Sequence, residues 1–138
     1  MIREFSAGGV VVRDKEGQPF VAVVRPRGQI LALPKGHPVG DESPAEAARR
    51  EVREETGLDA EMVEQLGDVK YWYVRGGDRV AKVVTFFLFR YRSGSVDDHD
   101  HEVEEALWIP LAEAPERLSY KGEREMARAA LSRLEEGR

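Results

Sequence analysis

The stretch Gly36–Leu58, GHPVGDESPAEAARREVREETGL, decides the fold, because a helix can be read from it at both ends. Ser43 is an N-cap type, Pro44 suits the first helical position, and Glu46 completes a capping box three residues after the cap. Gly57 can take the left-handed conformation that closes a helix. The signals predict a helix over Ser43–Thr56, with Ala45, Ala48 and Val52 forming one narrow apolar face at spacings of three and four. Glu51, Glu54 and Glu55 stand one turn apart. Like charges at this spacing repel by about 0.2–0.5 kcal/mol per pair, and the C-terminal end of a helix dipole is a poor place for acids. Either the face is solvated and laced by ion pairs such as Arg50 to Glu54, or it holds a hard divalent cation, which takes carboxylate oxygens and water.

Outward from the helix, strands dominate. Gly8–Arg13 and Phe20–Arg25 are β-branched runs separated by the turn-rich DKEGQP, and Leu31–Leu33 is a short apolar stretch closed by Pro34. Val69–Val74 and Val80–Tyr91 flank RGGDR, whose two glycines and aspartate favour a tight reversal, so an antiparallel hairpin is expected there. Leu107–Ile109 adds a short strand. A second helix is expected over Glu123–Glu135, where Met126, Ala130 and Leu134 line one row. Strands interleaved with two long helices predict an α+β fold, a mixed β-sheet packed between helices, in a single domain over residues 1–138.

The chain has 138 residues, no cysteine and a net charge of −5 from 21 basic and 26 acidic side chains. A chain this long can bury enough surface to hold a core without staples. Without cysteine there is no disulfide framework, thiolate zinc site or cysteine nucleophile. The short, glycine-broken apolar run near Met1 is neither a signal peptide nor a membrane span, so a cytoplasmic protein with no membrane partner is expected. The acidic balance argues against duplex nucleic acid, whose binding needs lysine and arginine on phosphates.

From Gly36 the spacing is glycine, five residues, Glu42, seven residues, Arg50-Glu51-Val52, one residue, Glu54-Glu55, one residue, Gly57-Leu58. It resembles the signature of the Nudix hydrolases at every prescribed position. From average residue usage, an accidental match of seven fixed positions has odds on the order of 10⁻⁸. The resemblance implies an α/β/α sandwich and metal-dependent attack of water on phosphorus in a nucleoside diphosphate linked to another group. It implies Glu51, Glu54 and Glu55 as carboxylates for Mg²⁺, or for Mn²⁺ as the alternative ion, with the backbone at Gly36 a further ligand. Arg50 would orient Glu51, and Glu42 would brace the loop or reach the metal through water. Glu54 or a carboxylate from a later loop would act as general base. Within the acidic run Asp97–Glu105 the choice is Glu102, with Glu104 and Glu105 as alternatives, while His99 and His101 are read as surface residues.

The resemblance implies a small nucleotide as substrate. Leu33-Pro34-Lys35-Gly36-His37, the Tyr71-Trp72-Tyr73 hairpin and Leu118-Ser119-Tyr120 resemble the diadenosine polyphosphate hydrolases of this family. The substrate-binding candidates are therefore Lys35, His37 and Lys82, with Tyr73 and Tyr120 as planes on which a base can stack. Arg25, Arg27 and Trp72 are weaker candidates. The alternatives are a nucleoside triphosphate pyrophosphatase acting on oxidised nucleotides such as 8-oxo-dGTP, and a non-catalytic nucleotide-binding module.

Overall fold

A computed structural model describes residues 1–137. The strands are β1 (Ile2–Lys15), β2 (Gln18–Arg25), β3 (Lys35–Gly36), β4 (Leu58–Arg75), β5 (Asp78–Gly94) and β6 (Glu105–Pro110). The helices are α1 (Pro44–Thr56), the short α2 (Ala114–Arg117) and α3 (Lys121–Glu136). The sheet runs β4-β5-β1-β2-β6, with β3 added to β1; β1 and β5 are parallel and the other pairs antiparallel. This is the mixed sheet between helices that the sequence predicts.

Alternation along the strands divides the core in two. Ala7, Val11, Phe87 and Phe89 face α1, where they meet Ala47, Ala48 and Val52. Val10, Val12, Phe86 and Leu88 face the opposite way and pack with Ala127 and Ala130 of α3. The buried face of α1 is wider than the expected stripe, since it includes Ala47 and Glu51, and Ala45 only flanks it.

The capping of α1 follows the sequence reading. Ser43 accepts from the Glu46 N–H, Glu46 accepts from the Ser43 N–H, and Gly57 closes the helix in the left-handed region at φ 76°. A Cβ on Gly57 would also run into the Ser95 carbonyl. Gly57→Ala should therefore destabilise the fold by roughly 2–3 kcal/mol, from the left-handed strain together with the steric conflict, measurable as a lowered denaturant midpoint.

One expectation is corrected. The hairpin strands are much longer than Val69–Val74 and Val80–Tyr91, because β4 and β5 pair from Leu58 opposite Gly94 to Arg75 opposite Asp78. Register shifts at Asp59/Ala60, Met62/Glu64 and Gln65/Gly67 break the two-residue alternation that would have shown this in the sequence. The apolar stretch Leu31–Leu33 meets the sheet at Ala32, which bridges to Val24. The N–H groups of Leu31 and Leu33 are taken by the side chains of Ser119 and Glu123. Among the described residues no helix is long and apolar enough to cross a membrane.

Candidate active site

Three short chain segments meet at the C-terminal half of α1: the strand entering it, Lys35-Gly36-His37, the helix itself, and the loop Val96–Glu102. Arg50 is the centre. Its Nε and Nη2 donate to the two oxygens of Glu42 at 2.7 and 3.0 Å, and its Nη1 donates to Glu51 at 2.9 Å and Glu54 at 3.1 Å. A further Nη2–H goes to the His37 carbonyl at 2.9 Å. All five N–H groups of the guanidinium are thus used, a geometry lysine cannot supply. The ion pair holds the Glu42 carboxyl below its ordinary range, helped by the Val39 N–H at 2.8 Å.

The acids of α1 are not equivalent. Glu51 is buried, and desolvation raises its pKa against the pull of Arg50. Glu55 accepts the Lys35 N–H at 3.0 Å; burial first, with the charges of Glu51 and Asp100 adding to it, pushes it to about 7. Glu54 is more open to solvent than Glu51, its side chain 43% exposed against 10%, and pairs with Arg50. Gly36 faces this group with no side chain, and a Cβ there would collide with the Glu51 carboxylate.

Among the described residues no three acids or histidines already converge on one point. Glu51 and Glu54 turn toward Arg50 and Glu55 toward Lys35. The donor set nevertheless fits a hard divalent cation. It is all oxygen, it concentrates negative charge that burial penalises, and it stands against a glycine backbone that admits close approach.

The later loop comes to the same place. The Asp100 N–H donates to the Glu54 carbonyl at 2.8 Å, and the Glu102 N–H donates to the Asp100 side chain at 3.0 Å. Glu102 is exposed and its charge is felt at Glu51, as that of Asp100 is at Glu55. The two alternatives lie elsewhere: Glu104 accepts the Gly28 N–H, and Glu105 pairs with Arg25 at 3.2 Å. Arg25 is thereby occupied, and Arg27 is exposed beyond it.

On the α3 side a cleft of about 720 Å³ is lined by Lys35, Tyr71, Val84, Phe86, Tyr120, Lys121 and Glu123, among others. The Lys35 ammonium lies 5.3 Å from the centre of the Tyr120 ring and 2.8 Å from Glu123. Burial alone would lower the Lys35 pKa, but the Glu123 carboxylate holds it above the ordinary lysine value. Lys35 is therefore fully charged at neutral pH.

Tyr73 is placed elsewhere. It shares a strand face with Tyr71 but sits one step nearer the hairpin tip, where its hydroxyl donates to Glu4, and it does not line the cleft. Trp72 faces the opposite side, under the Arg79 guanidinium at 4.5 Å. Lys82 stands opposite Tyr71 in the next strand, half-buried and beside Glu4, outside the cleft wall; burial lowers its pKa. His37 is exposed and turned to β1, with Nδ1 3.2 Å from the Phe5 carbonyl. Sequence reasoning does not single out Tyr71, Asp100 or Glu123. Strand alternation pairs Tyr71 with Tyr73, but nothing local distinguishes which of them reaches the cleft.

A NUDIX domain family model matches residues 3–130. The chain is 40% identical over 136 residues to mutator protein MutT4 of Mycobacterium tuberculosis, covering 94% of this chain and 55% of that one. It is 33% identical over 138 residues to the 8-oxo-(d)GTP phosphatase of Mycolicibacterium smegmatis, covering 93% and 41%. The chain thus spans about half the length of these curated relatives. Among solved structures, a C. elegans Ap4A hydrolase binary complex superposes with a TM-score of 0.75 at 20% identity, over 96% of this chain and 98% of that one, a likeness of fold. With a matching domain model over nearly the whole chain and an intact acidic helix braced by Arg50, this protein belongs to the NUDIX family.

Proposed function

We propose that the chain is a divalent-metal-dependent hydrolase of nucleotide phosphoanhydrides, with water as nucleophile and dinucleoside polyphosphates such as diadenosine tetra- or hexaphosphate as the leading substrates. The observation that supports this is the juxtaposition of the acidic face of α1 with a cleft carrying a charged Lys35 between tyrosines. Glu51, Glu54, Glu55 and the backbone at Gly36 would hold Mg²⁺ or Mn²⁺. Such an ion supplies charge neutralisation at the phosphates and a lowered pKa for water. Arg50 keeps Glu51 and Glu54 oriented, and Glu42 and the His37 carbonyl keep Arg50 in place. Glu102 or Glu54, both solvent-accessible, takes the proton of the attacking water. Lys35 pairs with phosphate oxygens, while Tyr71 and Tyr120 offer planes on which a base stacks.

A second reading, pyrophosphohydrolysis of oxidised nucleoside triphosphates, is favoured by the name of the 8-oxo-(d)GTP phosphatase relative. Incubation with Mg²⁺ and a panel of diadenosine polyphosphates, 8-oxo-dGTP, ADP-ribose and capped RNA, with products resolved chromatographically, separates the two. Turnover of the diadenosine compounds ahead of 8-oxo-dGTP is expected; the reverse order selects the second reading, and no turnover at all contradicts both. Mg²⁺ should also stabilise the fold, by about 2.7 kcal/mol at a free concentration one hundred times its Kd, seen as a concentration-dependent rise in Tm.

A further inference from the structure

We propose that Glu123, in the first turn of α3, is a positioning residue for this reaction, acting through Lys35 and the Leu33–Gly36 segment. It rests on the reading of Lys35 as a phosphate-binding group. Glu123 is only 3% exposed, and both of its oxygens are engaged on that segment. One accepts the Leu33 N–H at 2.7 Å and the other the Lys35 ammonium at 2.8 Å. A carboxylate is an expensive group to bury where an apolar side chain would pack, so an ion pair of this kind is weak evidence for a purely stabilising role.

The surroundings show how it comes to be there. A Cβ on Gly122 would strike Val69, so the glycine lets the start of α3 lie directly on β4 and brings Glu123 over Leu33. Ser119, just before the helix, donates its N–H to the Leu31 carbonyl and accepts the Leu31 N–H on its hydroxyl, both at 2.9 Å. On the far side of the same segment, Glu55 of α1 accepts the Lys35 N–H at 3.0 Å and Gly36 abuts Glu51. The strand entering the acidic helix is thus gripped by one glutamate from α1 and one from α3.

This grip decides where the Lys35 charge goes. The ammonium senses two acids, Glu123 and Glu55. Released from Glu123, a flexible lysine is drawn toward Glu55 and the acidic face, where it competes with a cation and leaves the phosphates. Held by Glu123, it keeps N–H donors free toward the cleft and stays beside Tyr120.

The experiment compares the wild-type chain with Glu123→Gln, Lys35→Met and the double variant. Glutamine keeps the acceptor for Leu33 and the volume, and loses the ion pair. Displacement of a binding group by about 1 Å can cost on the order of 10²-fold. Glu123→Gln should therefore lower kcat by about 10- to 100-fold with KM changed far less, weaken Mg²⁺ binding in calorimetry several-fold, and leave Tm within a few degrees. In the Lys35→Met background the same change should have little further effect on kcat or on Mg²⁺ affinity. Wild-type kcat and Mg²⁺ affinity in Glu123→Gln, or equal losses with and without Lys35, would overturn the proposal and leave Glu123 a packing residue. If Glu123→Gln does not fold, Glu123→Asp, which keeps the charge but withdraws it by one methylene, is put through the same comparison. A wild-type chain that turns over no nucleotide in the panel overturns the hydrolase reading itself, whereas an active wild type with an indifferent Glu123 overturns only this inference.

Discussion

Glu54→Gln and Glu55→Gln should each lower the rate of phosphoanhydride hydrolysis by roughly two to four orders of magnitude, the range expected when a positioned acid–base or charge-neutralising group is lost. The stability of the two variants should diverge from their activity. The Glu54 side chain is 43% exposed and its pair with Arg50 is accessible to solvent, so its loss should cost at most about 1 kcal/mol. Glu55→Gln should be as stable as the wild type at neutral pH, or more so, when measured without metal. Its carboxyl is raised from 4.5 to about 7 by burial and by the nearby charges of Glu51 and Asp100, and glutamine still accepts the Lys35 N–H. The sign follows from linkage: a carboxyl with a raised folded-state pKa favours the fold below pH 4.5, and that contribution is lost as the pH rises through 7. Glutamine does not titrate. Thermal melts of metal-free protein at about pH 5 and about pH 8 should therefore show the Tm difference between Glu55→Gln and wild type growing toward the higher pH. An inactive variant that melts at or above the wild type would mark Glu55 as a group kept for function. A fully active Glu54→Gln and Glu55→Gln pair would contradict the assignment of the acidic face.

What is legible in the sequence is local. Ser43, Pro44, Glu46 and Gly57 act on groups within four residues, so the bounds of α1 follow from the residue order alone. The spacing of Glu51, Glu54 and Glu55 is legible for the same reason, since a helix fixes the relation between its own residues. What is not legible involves partners distant in sequence. The true length of β4 and β5 depends on pairing across the hairpin, interrupted by bulges that erase alternation. The segment at Leu31 reads only as a short apolar stretch, and its N–H groups are satisfied by side chains 88 and 90 residues away. In the sequence Glu123 is an ordinary acid in the first turn of a surface helix, where the dipole favours it. Only the packing of Gly122 on Val69 turns it inward. Tyr71 and Tyr73 are equivalent by alternation, and the register that sets one against the cleft and the other against Glu4 is a tertiary fact.

Arg50 is where the local and the distant meet, and its removal should have the largest combined effect of any single change. Arg50→Met strips the cation from Glu42, Glu51 and Glu54 at once and leaves the His37 carbonyl without its donor. Removing one partner of a fully buried ion pair costs about 3–5 kcal/mol. Here the guanidinium side chain is 26% exposed and Glu54 more so, and solvent screens part of the loss. A destabilisation of about 2–3 kcal/mol is expected, lowering Tm by roughly 6–12 °C for a domain of this size. Arg50→Lys tests whether charge alone suffices. A lysine keeps the charge but is a point donor, unable to hold both oxygens of Glu42 while reaching Glu51, so it should recover less than half of the lost stability. Addition of Mg²⁺ separates the two duties of the residue. If the residual destabilisation is mutual repulsion of the α1 acids, the divalent ion should restore much of the Tm of Arg50→Met. It should not restore the rate, because Glu42 and the loop carrying His37 remain detached from the helix. Recovery of both by Mg²⁺ would mean that Arg50 serves only as a counter-charge, and recovery of neither would place its whole contribution in the link between the loop and α1.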